Sequence, residues 1–188
     1  MPSDALPLLT KTVVLVGLMG AGKSCIGSRL AERLGLPFVD ADLEIEKAAG
    51  CSVTDIFELY GEAAFRDGER RVIARLLHDP VQVLATGGGA FMDPETRAQI
   101  RTTAISVWLR ADLSLLLSRT ARRGNRPLLR NGARRETLKR LVAERHPVYA
   151  EADIVVDSAR EAPEATVDRV MEALRAFLDA SSRAETAE

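Results

Sequence analysis

The stretch Gly17-Leu18-Met19-Gly20-Ala21-Gly22-Lys23-Ser24 constrains the fold of this chain more than any other. It follows the apolar run Val13-Val14-Leu15-Val16 and precedes a helical pattern with Ile26, Leu30 and Leu34 at four-residue spacing. The template Gly-x-x-x-x-Gly-Lys-Ser/Thr is that of a P-loop. Its glycines let backbone N–H groups turn inward on phosphate oxygens, and the helix N-terminus behind adds partial positive charge. The template assigns Lys23 to the β- and γ-phosphates and Ser24 to magnesium. A turn that binds nothing needs neither the lysine nor the hydroxyl. Strand, loop and helix in this order open an α/β fold.

At 188 residues, with 46% hydrophobic and 28% charged residues, the chain suits one globular domain with a substantial core. The first ten residues lack a charged region followed by a long apolar stretch, and no window approaches eighteen consecutive apolar residues. The expectation is a cytoplasmic protein without signal peptide or membrane contact. Cys25 and Cys51 fit no metal spacing and are expected as small, buried or half-buried thiols. The net charge of −1 conceals an uneven distribution. Residues 40–69 hold nine acids against Lys47 and Arg66, whereas 119–145 hold ten basic residues against Glu136 and Glu144. Such a division suits a site that handles a metal and anions together. A nucleic-acid surface would want aromatics among the arginines, and they are lacking.

Along the chain, residues 1–10 are expected as a flexible tail, 11–180 as one domain and 181–188 as a disordered tail. Apolar, β-branched runs predict strands over 11–16, 36–39, 81–85, 103–109 and 154–156. The helix after the P-loop should stop at Gly35, and another over 43–49 at Gly50. Ser52-Val53-Thr54-Asp55 is a capping start for a helix through residue 60, which Gly61 separates from a helix to about 78. Asp93-Pro94 opens a short helix, and Asp112 caps one to about 119. A helix over 134–145 should end ahead of Pro147. The last helix, 163–180, turns Val167, Val170, Met171, Leu174, Phe177 and Leu178 inward. Residues 122–133 break periodicity and read as a loop. With no internal repeat, this alternation predicts a parallel sheet with helices on both faces.

Ligands of open parallel sheets sit outside the carboxyl ends of the strands. The P-loop, Asp40-x-Asp42 and Thr86-Gly87-Gly88-Gly89 should therefore converge. An acid on the strand beside the P-loop strand commonly serves magnesium, which suits Asp40. Asp42 has two readings on spacing alone, a helix N-cap or the acceptor of a proton from an attacking hydroxyl. The triple glycine also has two, a flexible turn or a backbone surface against a second ligand. Arg66, Arg126 and Arg145 stand out by position, though periodicity does not decide between cleft and surface. His78 and His146 have no partners at recognisable spacing.

Taken in order, the P-loop, Phe38-Val39-Asp40-Ala41-Asp42, Phe65-Arg66-Asp67-Gly68-Glu69, Gly87-Gly88-Gly89, Arg126-Pro127-Leu128-Leu129 and Arg145-His146-Pro147-Val148-Tyr149 resemble shikimate kinases. The resemblance spans about residues 11–160. It implies a five-stranded, nucleoside-monophosphate-kinase-like sheet of order 2-3-1-4-5. It also implies transfer of the γ-phosphate of ATP to the 3-hydroxyl of shikimate, in aromatic amino acid biosynthesis. By position, it assigns Gly20, Ala21, Gly22, Lys23, Ser24 and Cys25 to the nucleotide and Ser24 and Asp40 to Mg2+. Asp42 binds the shikimate hydroxyls and serves as base, while Arg66, Gly87, Gly88, Gly89 and Arg145 hold that substrate. Arg66 and Arg145 answer its carboxylate, and Glu69 orients an arginine. Arg126 reaches the phosphates from a lid over about 119–135, Arg119 packs on adenine, and Arg160 with Pro163 flanks the base. Cys25 stands where the family usually has threonine, and Arg122-Arg123 gives the lid its own version. A monomer with ATP and shikimate as its small-molecule partners is expected. A kinase of the same fold acting on gluconate or a nucleoside monophosphate would keep the P-loop but not Asp42, Arg66, the triple glycine and Arg145 together. A GTP switch would carry Asn-Lys-x-Asp, yet the only asparagines, Asn125 and Asn131, precede Arg126 and Gly132.

Overall fold

The structure, a computed structural model, describes residues 9–121 and 134–186. Five parallel strands, β1 (Thr12–Val16), β2 (Phe38–Asp40), β3 (Val83–Ala85), β4 (Ala104–Arg110) and β5 (Ile154–Asp157), form one sheet. Their spatial order is β2-β3-β1-β4-β5, the expected topology. β1 lies at the centre, with Val14 opposite Leu84 of β3 and Ser106 of β4. Every residue of β1 is buried, which is why its sequence is a continuous apolar run instead of an alternation. At the edge, β5 alternates buried and exposed positions.

Helices α1 (Lys23–Leu34), α2 (Ala41–Ala49), α3 (Val53–Leu77), α4 (Pro94–Thr103), α5 (Leu113–Ala121), α6 (Arg134–Tyr149) and α7 (Pro163–Thr186) pack around the sheet. Left-handed glycines end α1 at Gly35 and α2 at Gly50, as expected. Ser52 and Asp55 form the capping box that begins α3. Gly61, at φ 83° and ψ 172°, breaks α3 into the two helical segments that the sequence implies. α1 and α7 meet through Arg29–Glu164 and Arg33–Asp168 ion pairs.

Two helices run beyond their expected ends. α6 passes through Pro147 to Tyr149 instead of stopping at 145. An interior proline removes a backbone hydrogen bond and costs about 3 kcal/mol. Here the last turn buries Tyr149 completely and sets His146 edge-on to Trp108 at 5.0 Å, gains that offset the loss. α7 continues past 180 to Thr186, where a disordered tail was expected, with the Ser181 and Ser182 hydroxyls donating to Phe177 O and Leu178 O. Cys25 and Cys51 are half-buried free thiols. No helix among the described residues is long and apolar enough to cross a membrane.

Candidate active site

The loop after β1 needs its glycines for position as well as phosphate contact. Gly17 has φ 140°, and a Cβ there would stand 2.7 Å from Leu109 O. Gly20 at φ 84° and Gly22 at φ 102° also take backbone conformations that other residues rarely adopt. Gly22 begins α1 without a side-chain cap, and no acid occupies the first turn. The leading N–H groups and the positive end of the helix dipole are thus left to an anion. Lys23 Nζ donates to Gly17 O at 2.7 Å and Leu18 O at 3.0 Å, which holds its charge over the loop. Cys25 Sγ accepts from Arg29 Nη1 at 3.0 Å.

Arg119, near the end of α5, reinforces the loop from outside. Its Nη1 donates to Gly20 O, Ala21 O and Ser158 Oγ, and its Nη2 to Ala159 O. Burial draws the guanidinium below its ordinary pKa, although it remains a cation at neutral pH. The buried Ser158 hydroxyl donates in turn to Ala21 O. The segment after β5 is thereby tied to the P-loop.

β2 delivers the acids. Asp40 is the N-cap of α2, its Oδ1 accepting from Asp42 N at 3.0 Å. Its Oδ2 accepts from Ser24 Oγ at 2.6 Å. The cap that the spacing allowed at Asp42 belongs to Asp40, and Asp42 stands in the first turn of α2 at the cavity wall.

After β3, the three glycines make a surface on which four charged side chains meet. A Cβ at Gly87 would stand 2.8 Å from Asp42 Oδ1 and 2.9 Å from Glu69 Oε1. At Gly88 it would meet Met19 N at 3.4 Å and Arg145 Nη1 at 3.5 Å. At Gly89 it would collide with the Arg66 guanidinium at 2.4 Å. At Gly87 and Gly89 the side chains approach too closely for a Cβ to fit without their moving, whereas at Gly88 the contacts are of ordinary length. Arg66 Nη1 donates to Glu69 Oε2 at 2.7 Å, so Glu69 does orient an arginine. Glu69 is 3% exposed, and its Oε1 has no hydrogen-bond partner among the described residues. Burial raises its pKa above the usual carboxylate value, opposed by the charge of Arg66. Tyr149 donates its hydroxyl to Gly88 O.

A cavity of about 400 Å³ joins the two halves, its wall running from Gly20, Gly22, Lys23, Ser24 and Cys25 past Asp40 and Asp42 to Gly87 and Gly88. Arg119 and Pro163 line the far end. Arg66, Gly89 and Arg145 are not brought to the cavity wall; Arg145 stands against Gly88 and Arg66 against Gly89. Arg160 is not brought to the cavity: it lies exposed and donates to Ser114 O, while its neighbour Glu161 lines the wall. Arg126 and most of the expected lid, 122–133, lie outside the described residues. Sequence reasoning gave no role to Thr86, Glu161, Thr166 or Tyr149. Thr86 lines the cavity with its hydroxyl committed to Leu15 O, and its signal was a hydroxyl residue at a strand end before glycines. Glu161 is bound to Arg169 and Thr166, an arrangement without a motif.

The shikimate kinase family model matches residues 19–175. The chain belongs to the shikimate kinase family. A shikimate kinase of Paramagnetospirillum magneticum is 63% identical over 177 residues, covering 92% of this chain and 91% of that protein. One of Caulobacter vibrioides is 55% identical over 172 residues, covering 92% and 86%. Among solved structures, shikimate kinase from Acinetobacter baumannii in complex with shikimate has TM-score 0.84 and 37% identity, covering 86% of this chain and 91% of that one. As a member of that family, the chain is an ATP-dependent phosphotransferase.

Proposed function

We propose that the chain transfers the γ-phosphate of ATP to the 3-hydroxyl of shikimate, with the donor bound along the P-loop and the acceptor against Gly87–Gly89. The convergence of Asp42, Glu69, Arg66 and Arg145 on three consecutive glycines carries the reading. A carboxylated polyol needs planar cationic partners for its carboxylate and an acceptor for its hydroxyl proton. Arg66 and Arg145 provide the first, and Asp42 the second.

Phosphoryl transfer is catalysed chiefly by positioning and charge stabilisation. Lys23 and the leading N–H groups of α1 meet the phosphate charge, while the Arg119 contacts fix the loop that presents them. Pro163 and Arg119 line the cavity and are assigned to the adenine ring. Asp42 orients the attacking hydroxyl and takes its proton. Ser24 Oγ and Asp40 Oδ2, hard oxygen donors 2.6 Å apart, fit a magnesium ion. Among the described residues no group of three or more His, Cys, Asp or Glu could hold a metal, and magnesium carried by phosphates and water needs no such group. When bound, it would neutralise charge on the phosphates. The same reading takes the protein as a monomer in the cytoplasm.

A coupled ADP-release assay with shikimate, gluconate and AMP supplied separately tests this reading. Release should be stimulated by shikimate alone and should need Mg2+. Stimulation by gluconate or AMP, without shikimate, would overturn it. Sedimentation should give one chain per particle.

A further inference from the structure

We propose that Tyr149 is a positioning residue for the acceptor substrate, its hydroxyl locking the Arg145 guanidinium and the Gly88 carbonyl into one unit. The proposal rests on the reading that Arg145 holds the shikimate carboxylate. Tyr149 follows Arg145 by four residues on α6, so both side chains project from one face of the helix. The phenol donates its proton to Gly88 O, and Gly88 is the residue whose Cβ position lies 3.5 Å from Arg145 Nη1. The hydroxyl thus spends its single donor on the glycine surface against which Arg145 stands, with its lone pairs left to face the guanidinium.

The ring has little room to move. It is fully buried, with its centroid 5.9 Å from that of Trp108 and 6.4 Å from that of Phe91. Phe91 belongs to the short turn Ala90–Met92 directly after the glycines. That turn is pinned by Arg97, whose Nη1 donates to Phe91 O at 2.8 Å and Met92 O at 3.0 Å. Burial pushes the Tyr149 phenol up to about 12, so it stays protonated and able to donate at every working pH. An arginine loses much rotamer freedom when it is held to one geometry. Tyr149 meets that cost on folding, before the substrate arrives. It also supplies a reason for α6 to continue through Pro147: a helix that stopped at residue 145 would leave Arg145 without this partner.

Steady-state kinetics of Tyr149→Phe, Arg145→Ala and the double variant test the proposal. Tyr149→Phe keeps the buried ring and removes only the hydroxyl. Its KM for shikimate should rise about tenfold, in keeping with loss of one hydrogen bond to a charged group, with KM for ATP within about twofold of wild type. The double variant should bind shikimate no worse than Arg145→Ala, because the tyrosine acts through the arginine. An unchanged shikimate KM in Tyr149→Phe, equal losses for both substrates, or full additivity in the double variant would each overturn the proposal. A normal shikimate KM in Arg145→Ala would instead refute the assignment of the carboxylate to Arg145.

Discussion

Asp40 and Asp42 are two residues apart and do different work because one of them is taken by the backbone. Asp40 caps α2 and accepts from Ser24, which leaves the helix start satisfied and Asp42 projecting at the cavity wall. Asp42→Asn keeps the shape and removes the proton acceptor. Its kcat should fall on the order of 10²–10⁴-fold with little change in melting temperature, and near-normal turnover would reduce Asp42 to a hydroxyl ligand. Glu69 makes a prediction about pH. Its folded pKa is raised by burial, so the favourable contribution is complete below the unfolded value near ~4.3 and is lost as pH rises through the folded value. Urea denaturation from pH 4 to pH 8 should therefore show wild type losing stability relative to Glu69→Gln. A constant difference across that range would contradict the raised pKa.

At the scale of elements, three helices and a glycine turn divide the proposed acceptor site between them. α2 brings Asp42, α3 brings Arg66 and Glu69, and α6 brings Arg145. The turn after β3 is where they touch, because it presents no Cβ. Gly89 has an ordinary backbone conformation, φ −98° and ψ −11°, so alanine there strains nothing except its contact with Arg66. Gly89→Ala should fold normally and displace the end of the Arg66 side chain. KM for shikimate should rise about tenfold or more while KM for ATP holds, a pattern that steady-state assays with each substrate varied will show. Strand positions and most helix caps were legible because they follow from local rules: β-branched runs, capping boxes, glycines at helix ends. The strand order was implied by the family resemblance alone. The course of α6 through Pro147 was not. Its last turn is stabilised by Trp108 on β4 and Phe91 beyond the glycines, partners that local propensity does not contain.

For the molecule as a whole, the centre of the sheet carries both stability and chemistry. Leu15, wholly buried in β1, lies two residues before Gly17, whereas Val155 on edge strand β5 is 42% exposed. Leu15→Ala should cost about 2–5 kcal/mol in urea denaturation, and Val155→Ala less than about 0.5 kcal/mol. Equal costs would mean that the two positions do not differ in packing as their burial indicates. The sequence by itself determined the P-loop, the alternation of strands and helices, and the acids that follow β2. Each is written in neighbouring residues, where spacing and backbone preference act directly. The packing of helices on the sheet decided that Gly87–Gly89 receive carboxylates and guanidiniums. It alone turned Arg160 away from the cavity and put Tyr149 against Gly88. Those outcomes depend on distances between elements far apart in the chain, set by how the helices pack on the sheet, and no local pattern encodes such distances.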